Sequence, residues 1–67
     1  MKVIVNKEHK EINKECKIIE MLEILNIKNT QGLAIAINNT VIKKDDWKNY
    51  QLKENDNILL IKATQGG

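Results

Sequence analysis

Proline and arginine are absent from this chain of 67 residues, cysteine and histidine occur once each, and the only aromatics are Trp47 and Tyr50. A lone Cys16 rules out an internal disulfide framework and fits a reducing cytosol. One His and one Cys do not make a zinc site, which takes about four ligands, so no metal is expected. No apolar run approaches membrane-spanning length, and the N-terminus lacks a signal-peptide pattern. The expected location is cytoplasmic, away from the membrane. With two aromatics and no clustered basic face, nucleic-acid binding is not expected. The missing Pro and Arg, beside abundant Ile, Lys and Asn, fit genome composition rather than function.

What is present is a soluble globular composition, 42% hydrophobic and 30% charged, with a net charge of +2 carried by eleven lysines against nine carboxylates. A domain of about 60 residues buries only about 60% of its unfolded surface. Its core is thin, and no volume is left for an enclosed active site. A binding module, a carrier or a subunit is expected, not a free-standing enzyme.

Lys2–Asn6 is β-branched and apolar, a short strand. Lys7–Lys10 reads as a turn, and Glu11–Glu15 as an exposed return strand. Ile18, Met21, Leu22 and Leu25 fall at i, i+3, i+4 and i+7, the stripe of an amphipathic helix. Its polar side carries Glu20 and Glu23, which would repel anionic lipid. The helix start is poorly marked, because Cys16-Lys17 offers no preferred capping side chain. Leu33–Asn38 is a third strand, with large side chains on one face and alanines on the other. Asn38-Asn39-Thr40 is a turn, and Val41–Lys43 a short fourth strand. Asp45 or Asp46 is placed to cap one helical turn around Trp47, which reads as a packing anchor. Lys53–Asp56 is another turn. Asn57–Ala63 is apolar on both faces, so it belongs at the centre of the sheet beside the first strand. One helix lying across one face of a mixed sheet buries the apolar faces of both. The expected fold is α+β, a domain over residues 1–63 with a flexible, reactive C-terminal tail over 64–67.

That tail, Thr64-Gln65-Gly66-Gly67, is the most informative segment. Two terminal glycines make a thin peptide tip that threads a channel too narrow for other residues. What the tip delivers is its own carboxylate. With glycine at about 7% of ordinary sequence, chance gives such an ending in roughly half a per cent of chains. Met1 and the full strand before the tail favour a genuine end over a cut.

The element order with Gly66-Gly67 resembles the ubiquitin-like β-grasp sulfur carriers. Three segments narrow the resemblance to the thiamine-biosynthesis sulfur carrier family. Leu33–Ile42 is similar to that family's A-x-A-x-N-x-x-x-V hairpin. Trp47 follows in Lys44-Asp45-Asp46-Trp47. Glu54-Asn55-Asp56-Asn57-Ile58-Leu59-Leu60 precedes the tail, with Asn55-Asp56 where the family usually carries Gly-Asp. Asparagine still tolerates a left-handed turn. The resemblance covers the whole chain. It implies that the Gly67 carboxylate is adenylated and converted to a thiocarboxylate, whose sulfur enters the thiazole ring of thiamine. The implied partners are an adenylating enzyme of the ubiquitin-activating-like class, thiazole synthase, and a sulfur donor fed by a cysteine desulfurase. ATP and magnesium would belong to the adenylating partner, with no cofactor bound here. No side chain of this chain would be catalytic: Gly66 gives access, and Thr64 and Gln65 are the spacer. Two alternatives remain open at this point: the small subunit of molybdopterin synthase, which tends to be longer and to carry a proline, and a ubiquitin-like protein modifier or interaction domain.

Strand parity suggests where partners dock. If Ile58 and Leu60 face the helix, Leu59 and Ile61 face outward next to Lys62 at the tail root. Ile4, Ala34 and Ala36 would share that outer face as an exposed apolar patch. Cys16 reads as an incidental, partly buried thiol and His9 as a solvated turn residue. Asp45-Asp46 read as caps, not as a catalytic pair.

Overall fold

The computed structural model describes residues 1–63. Thr64, Gln65, Gly66 and Gly67 lie outside the described residues. The β-branched opening forms β1 (Lys2–Val5), which turns back into β2 (Glu8–Glu11). The turn is Asn6-Lys7, with φ of 50° and 70°. Two consecutive left-handed residues make the two-residue hairpin turn whose twist matches the flanking strands. The expected turn at Lys7–Lys10 and return strand at Glu11–Glu15 are therefore both shifted. β2 is an edge strand of polar residues, Glu-His-Lys-Glu. It has no apolar alternation to betray it, and charge on an edge blunts stray pairing. Ile12, just beyond it, is buried, and its N–H donates to the Met1 carbonyl at 2.8 Å.

The helix α1 spans Ile18–Ile24 and buries Ile18, Met21 and Leu22, three of the four stripe residues. Leu25 sits half-buried at the helix end. Lys17 occupies the N-cap, and the Glu20 carboxylate reaches back to accept its N–H at 2.8 Å. That bond is half of a capping box, in which the residue three into the helix serves the cap's orphan N–H. Asn26, at φ 62°, follows the helix in a left-handed conformation that asparagine adopts at little cost.

β3 (Leu33–Ile37) and β4 (Thr40–Ile42) are joined by Asn38-Asn39 at φ 51° and 72°. The short η1 helix (Lys44–Asp46) follows with Lys43, not an aspartate, at its N-cap. Asp45 and Asp46 lie inside that turn, so the expected cap is not formed. Asp46 contributes through its carbonyl, which accepts the N–H groups of Asn49 and Tyr50. Trp47 is buried, and its indole N–H donates to the Ile42 carbonyl at 3.0 Å. It anchors η1 to β4 as expected.

The last strand, β5 (Asn57–Lys62), completes a five-stranded sheet of order β2-β1-β5-β3-β4. It lies at the centre, parallel to β1 and antiparallel to β3. The core joins the inner face of the sheet, α1 and Trp47 through Val3, Val5, Ile18, Met21, Ile35 and Ile58 among others. A polar knot fixes where β5 begins. The buried Asp56 carboxylate accepts the Lys53 N–H at 2.8 Å and an Asn38 amide N–H at 3.0 Å. The Asn38 side-chain oxygen in turn accepts the Asn57 N–H at 3.0 Å. Asn55, at φ 68°, takes the left-handed turn position expected of it.

Candidate functional site at the root of the C-terminal tail

β5 alternates sharply. Ile58 is 0% exposed and Leu60 half-buried, while Leu59 and Ile61 are 46% and 50% exposed. The parity follows from the pleat, which sends successive side chains to opposite faces. Only one face is covered by the helix, so Leu59 and Ile61 stand on the bare one. Ala36 pairs with Leu59 and Ala34 with Ile61 on β3. These small neighbours leave the two larger side chains standing proud. Ile4 pairs with Asn57 and shares the same face, half-buried. The expected set Ile4, Ala34, Ala36, Leu59 and Ile61 is thus brought together on the outer sheet face.

Two residues on this face escaped sequence reasoning. Val41 pairs with Ala36 and is 70% exposed. Its signal was the Val41-Ile42 alternation, readable only once the β3–β4 register is known. His9 is exposed and pairs with Ile4, so it belongs to β2 and not to a turn. Lys62 belongs to the other face. Its amine lies 3.4 Å from the Asn29 carbonyl in the loop after the helix.

The tail root is held from two sides. The Ala63 N–H donates to the Gly32 carbonyl at 2.9 Å, one rung past the Leu33–Lys62 pair. Gly32 sits at φ +74°, where an added Cβ would lie 3.4 Å from the Ala63 carbonyl oxygen. On the β1 side, the Asn6 side-chain oxygen accepts the Leu60 N–H at 2.8 Å. A central strand bonded on both edges is the last part of such a sheet to fray. Ala63, the last described residue, is tied by its own N–H to the Gly32 carbonyl.

Cys16 is buried, and its thiol lies 3.4 Å from the Lys17 carbonyl. Burial, and then the Glu20 carboxylate, push its pKa up from the ordinary thiol value. A sulfur nucleophile needs the opposite shift. Among the described residues, no group of three or more His, Cys, Asp or Glu side chains is placed to hold a metal ion. No helix among them is long and apolar enough to cross a membrane.

A mixed five-stranded sheet packed on one main helix, with the last strand at its centre, defines a ubiquitin-like β-grasp domain. The model of the ThiS family matches residues 3–67, and the chain belongs to that family. Its fold is similar to the crystal structure of the thiamine biosynthesis protein ThiS from Geobacter metallireducens, with a TM-score of 0.86 and 17% identity over 100% of both chains. It is also similar to the solution NMR structure of a thiamine biosynthesis protein from Geobacter metallireducens, with a TM-score of 0.78 and 17% identity, covering 100% of this chain and 88% of that one. At that identity the likeness establishes the fold, and the family model establishes the membership. No curated protein matches the chain. Family membership supports a sulfur-carrier role in thiamine synthesis.

Proposed function

We propose that this protein carries sulfur as a thiocarboxylate on Gly67 and delivers it to the thiazole ring of thiamine. The observation that carries the reading is the family match, which runs through residue 67 and so includes both glycines of the tail. The chemistry starts from an ionised C-terminus, whose pKa is about 3.3–3.7. One carboxylate oxygen attacks the α-phosphorus of ATP, and pyrophosphate leaves. The resulting acyl-adenylate has AMP as its leaving group. The terminal sulfur of the donor's persulfide attacks the Gly67 carbonyl carbon, the carbon–oxygen bond to AMP breaks, and a thiol reductant then cleaves the sulfur–sulfur bond of the acyl disulfide, leaving the thiocarboxylate and a disulfide. ATP and magnesium are bound by an adenylating enzyme of the ubiquitin-activating-like class. Sulfur comes from a donor fed by a cysteine desulfurase, and thiazole synthase takes it onward. This chain acts as the co-substrate. Gly66 and Gly67 supply a tip without side chains, and Thr64 and Gln65 the spacer. The outer face around Leu59 and Ile61 is the surface that docks on the adenylating enzyme.

The test is the intact mass of the protein after expression in cells with a working thiamine pathway. A fraction heavier by one oxygen-to-sulfur exchange is expected, mapping to the C-terminal peptide and lost when Gly67 is deleted. Unmodified mass with the adenylating enzyme, ATP and a sulfur source all supplied would refute the proposal.

A further inference from the structure

The outer sheet face has two lysines flanking its apolar ridge. Leu59, Ile61 and Val41 form the ridge, floored by Ala34 and Ala36. At one end, Lys7 lines the shallow hollow beside Leu59, Ala36 and Asn57. At the other end, Lys43 follows Ile42 with extended backbone, φ −62° and ψ 144°. Alternation therefore puts Lys43 on the same side as Val41, in the row of Ala34 and Ile61. Lys2 and Glu11 also share this face, but they pair with each other at the far end of β1. Glu11 additionally lies 3.8 Å from the Met1 ammonium. Glu54 accepts the Lys2 N–H at that same far end. Asp46 lines a hollow at the β4 edge together with Val41, Ile42 and Lys43, without an ion pair to Lys43 within 4.0 Å. Among the described residues, neither Lys7 nor Lys43 has a carboxylate within ion-pair distance.

We propose that the partner docking on this face presents an apolar socket flanked by carboxylates that meet Lys7 and Lys43, and that these two lysines steer its association. The inference rests on the docking reading above and adds the partner's chemistry to it. A second copy of this chain is a poor occupant, because a two-fold contact sets the same patch, lysines included, against itself. Nucleic acid is a poor occupant as well: this face offers aliphatic side chains and no aromatic platform on which a base could stack. A protein with an acidic rim satisfies both the ridge and the lysines. Complementary rim charge acts mainly on the encounter rate and is screened by salt.

The experiment is stopped-flow association of the full chain with the purified adenylating enzyme from the same cell. Three forms are compared: wild type, the double variant Lys7→Glu/Lys43→Glu, and Leu59→Asp. Ionic strength runs from about 0.01 M to about 1 M, over which the screening length falls from about 30 Å to about 3 Å. The charge-reversed variant should associate at least about tenfold more slowly at low ionic strength. The difference should vanish at high ionic strength, with dissociation unchanged. Equal or salt-independent association rates for the two forms overturn the charge assignment. Leu59→Asp separates the two claims. Loss of binding in that variant with no effect of the lysine change leaves the face as the docking surface and removes its acidic partner. Unchanged binding in both removes the docking surface itself. Circular dichroism confirms that each variant is folded, and binding of the wild type to single-stranded oligonucleotide, or its dimerisation, would also overturn the assignment.

Discussion

Neighbouring residues on β5 should differ in worth by more than their chemistry suggests. Ile58 is 0% exposed and Leu59 is 46% exposed. Truncating a buried isoleucine to alanine removes transfer energy and leaves a cavity, together about 2–5 kcal/mol. Truncating Leu59 leaves no cavity, and full burial of a leucine is worth only about 1.5–3 kcal/mol. Since roughly half of that side chain is already in water, Leu59→Ala should cost about 1 kcal/mol or less. A chain of this length is stable by only about 3–10 kcal/mol, so Ile58→Ala takes a large share of the total and Leu59→Ala a small one. Urea unfolding followed by the fluorescence of the buried Trp47 reads both. With a slope near about 1 kcal/mol per molar for so small a domain, the midpoint should fall by about 2 M or more for Ile58→Ala and by about 1 M or less for Leu59→Ala. Should Ile58→Ala fail to fold, Ile58→Val, costing about 0.5–1.5 kcal/mol, keeps the comparison measurable. Equal losses at the two positions, or a larger loss at Leu59, would refute the face assignment on which the docking surface depends.

Cys16 links burial to pH. Its folded pKa is raised by burial and then by Glu20, so the unfolded chain ionises first; the contribution is complete at neutral pH and declines as pH climbs above about 8.5. Unfolding free energies measured between pH 8 and 10 should slope downward in the wild type and flatten in Cys16→Ala, and equal slopes would count against the assignment. Gly32→Ala forces a side chain to φ +74°, at roughly 1–2 kcal/mol; exchange of the Ala63 amide should accelerate, and Gly32→Asn should be milder. Unchanged exchange would mean that the Gly32 carbonyl does not hold the tail root. Asp56→Ala removes the acceptor for Lys53 and Asn38 and should cost about 1–3 kcal/mol by thermal unfolding.

The elements that declare themselves in the sequence are those whose apolar pattern the core demands. The Ile18-Met21-Leu22 stripe, the Leu33–Ile37 alternation and the doubly apolar β5 all bury large side chains, and each emerges where it is expected. β2 has nothing to bury along Glu8–Glu11, so its position is set by the backbone angles of Asn6-Lys7, which periodicity does not report. The helix start was illegible for a related reason: its N-cap is a lysine, and the useful group is the Glu20 carboxylate three residues on. Asp45 and Asp46 carried the opposite lesson. They look like caps, but Lys43 takes the capping position and the aspartates fall inside the turn. Of the docking face, Leu59 and Ile61 followed from parity alone. Val41 and His9 needed the cross-strand register, which pairs residues far apart in sequence.

The same register explains why an apolar outer face points beyond the fold. A sheet with one helix can cover one face only, and the central strand of such a sheet is free to be polar on the other. This chain is able to do so: β2 is polar throughout, and Asn57 sits at the start of β5 on the outer face. Leu59 and Ile61 instead keep aliphatic side chains half in water, opposite alanines that cannot shelter them. Folding gains little from these two side chains, and solubility is reduced by an exposed patch. On the function proposed above, the gain comes when a partner surface buries them, and they lie on the strand that runs to Ala63. A partner that covers Leu59 and Ile61 would, on that function, therefore also hold the strand that runs up to Ala63, next to the tail it acts on.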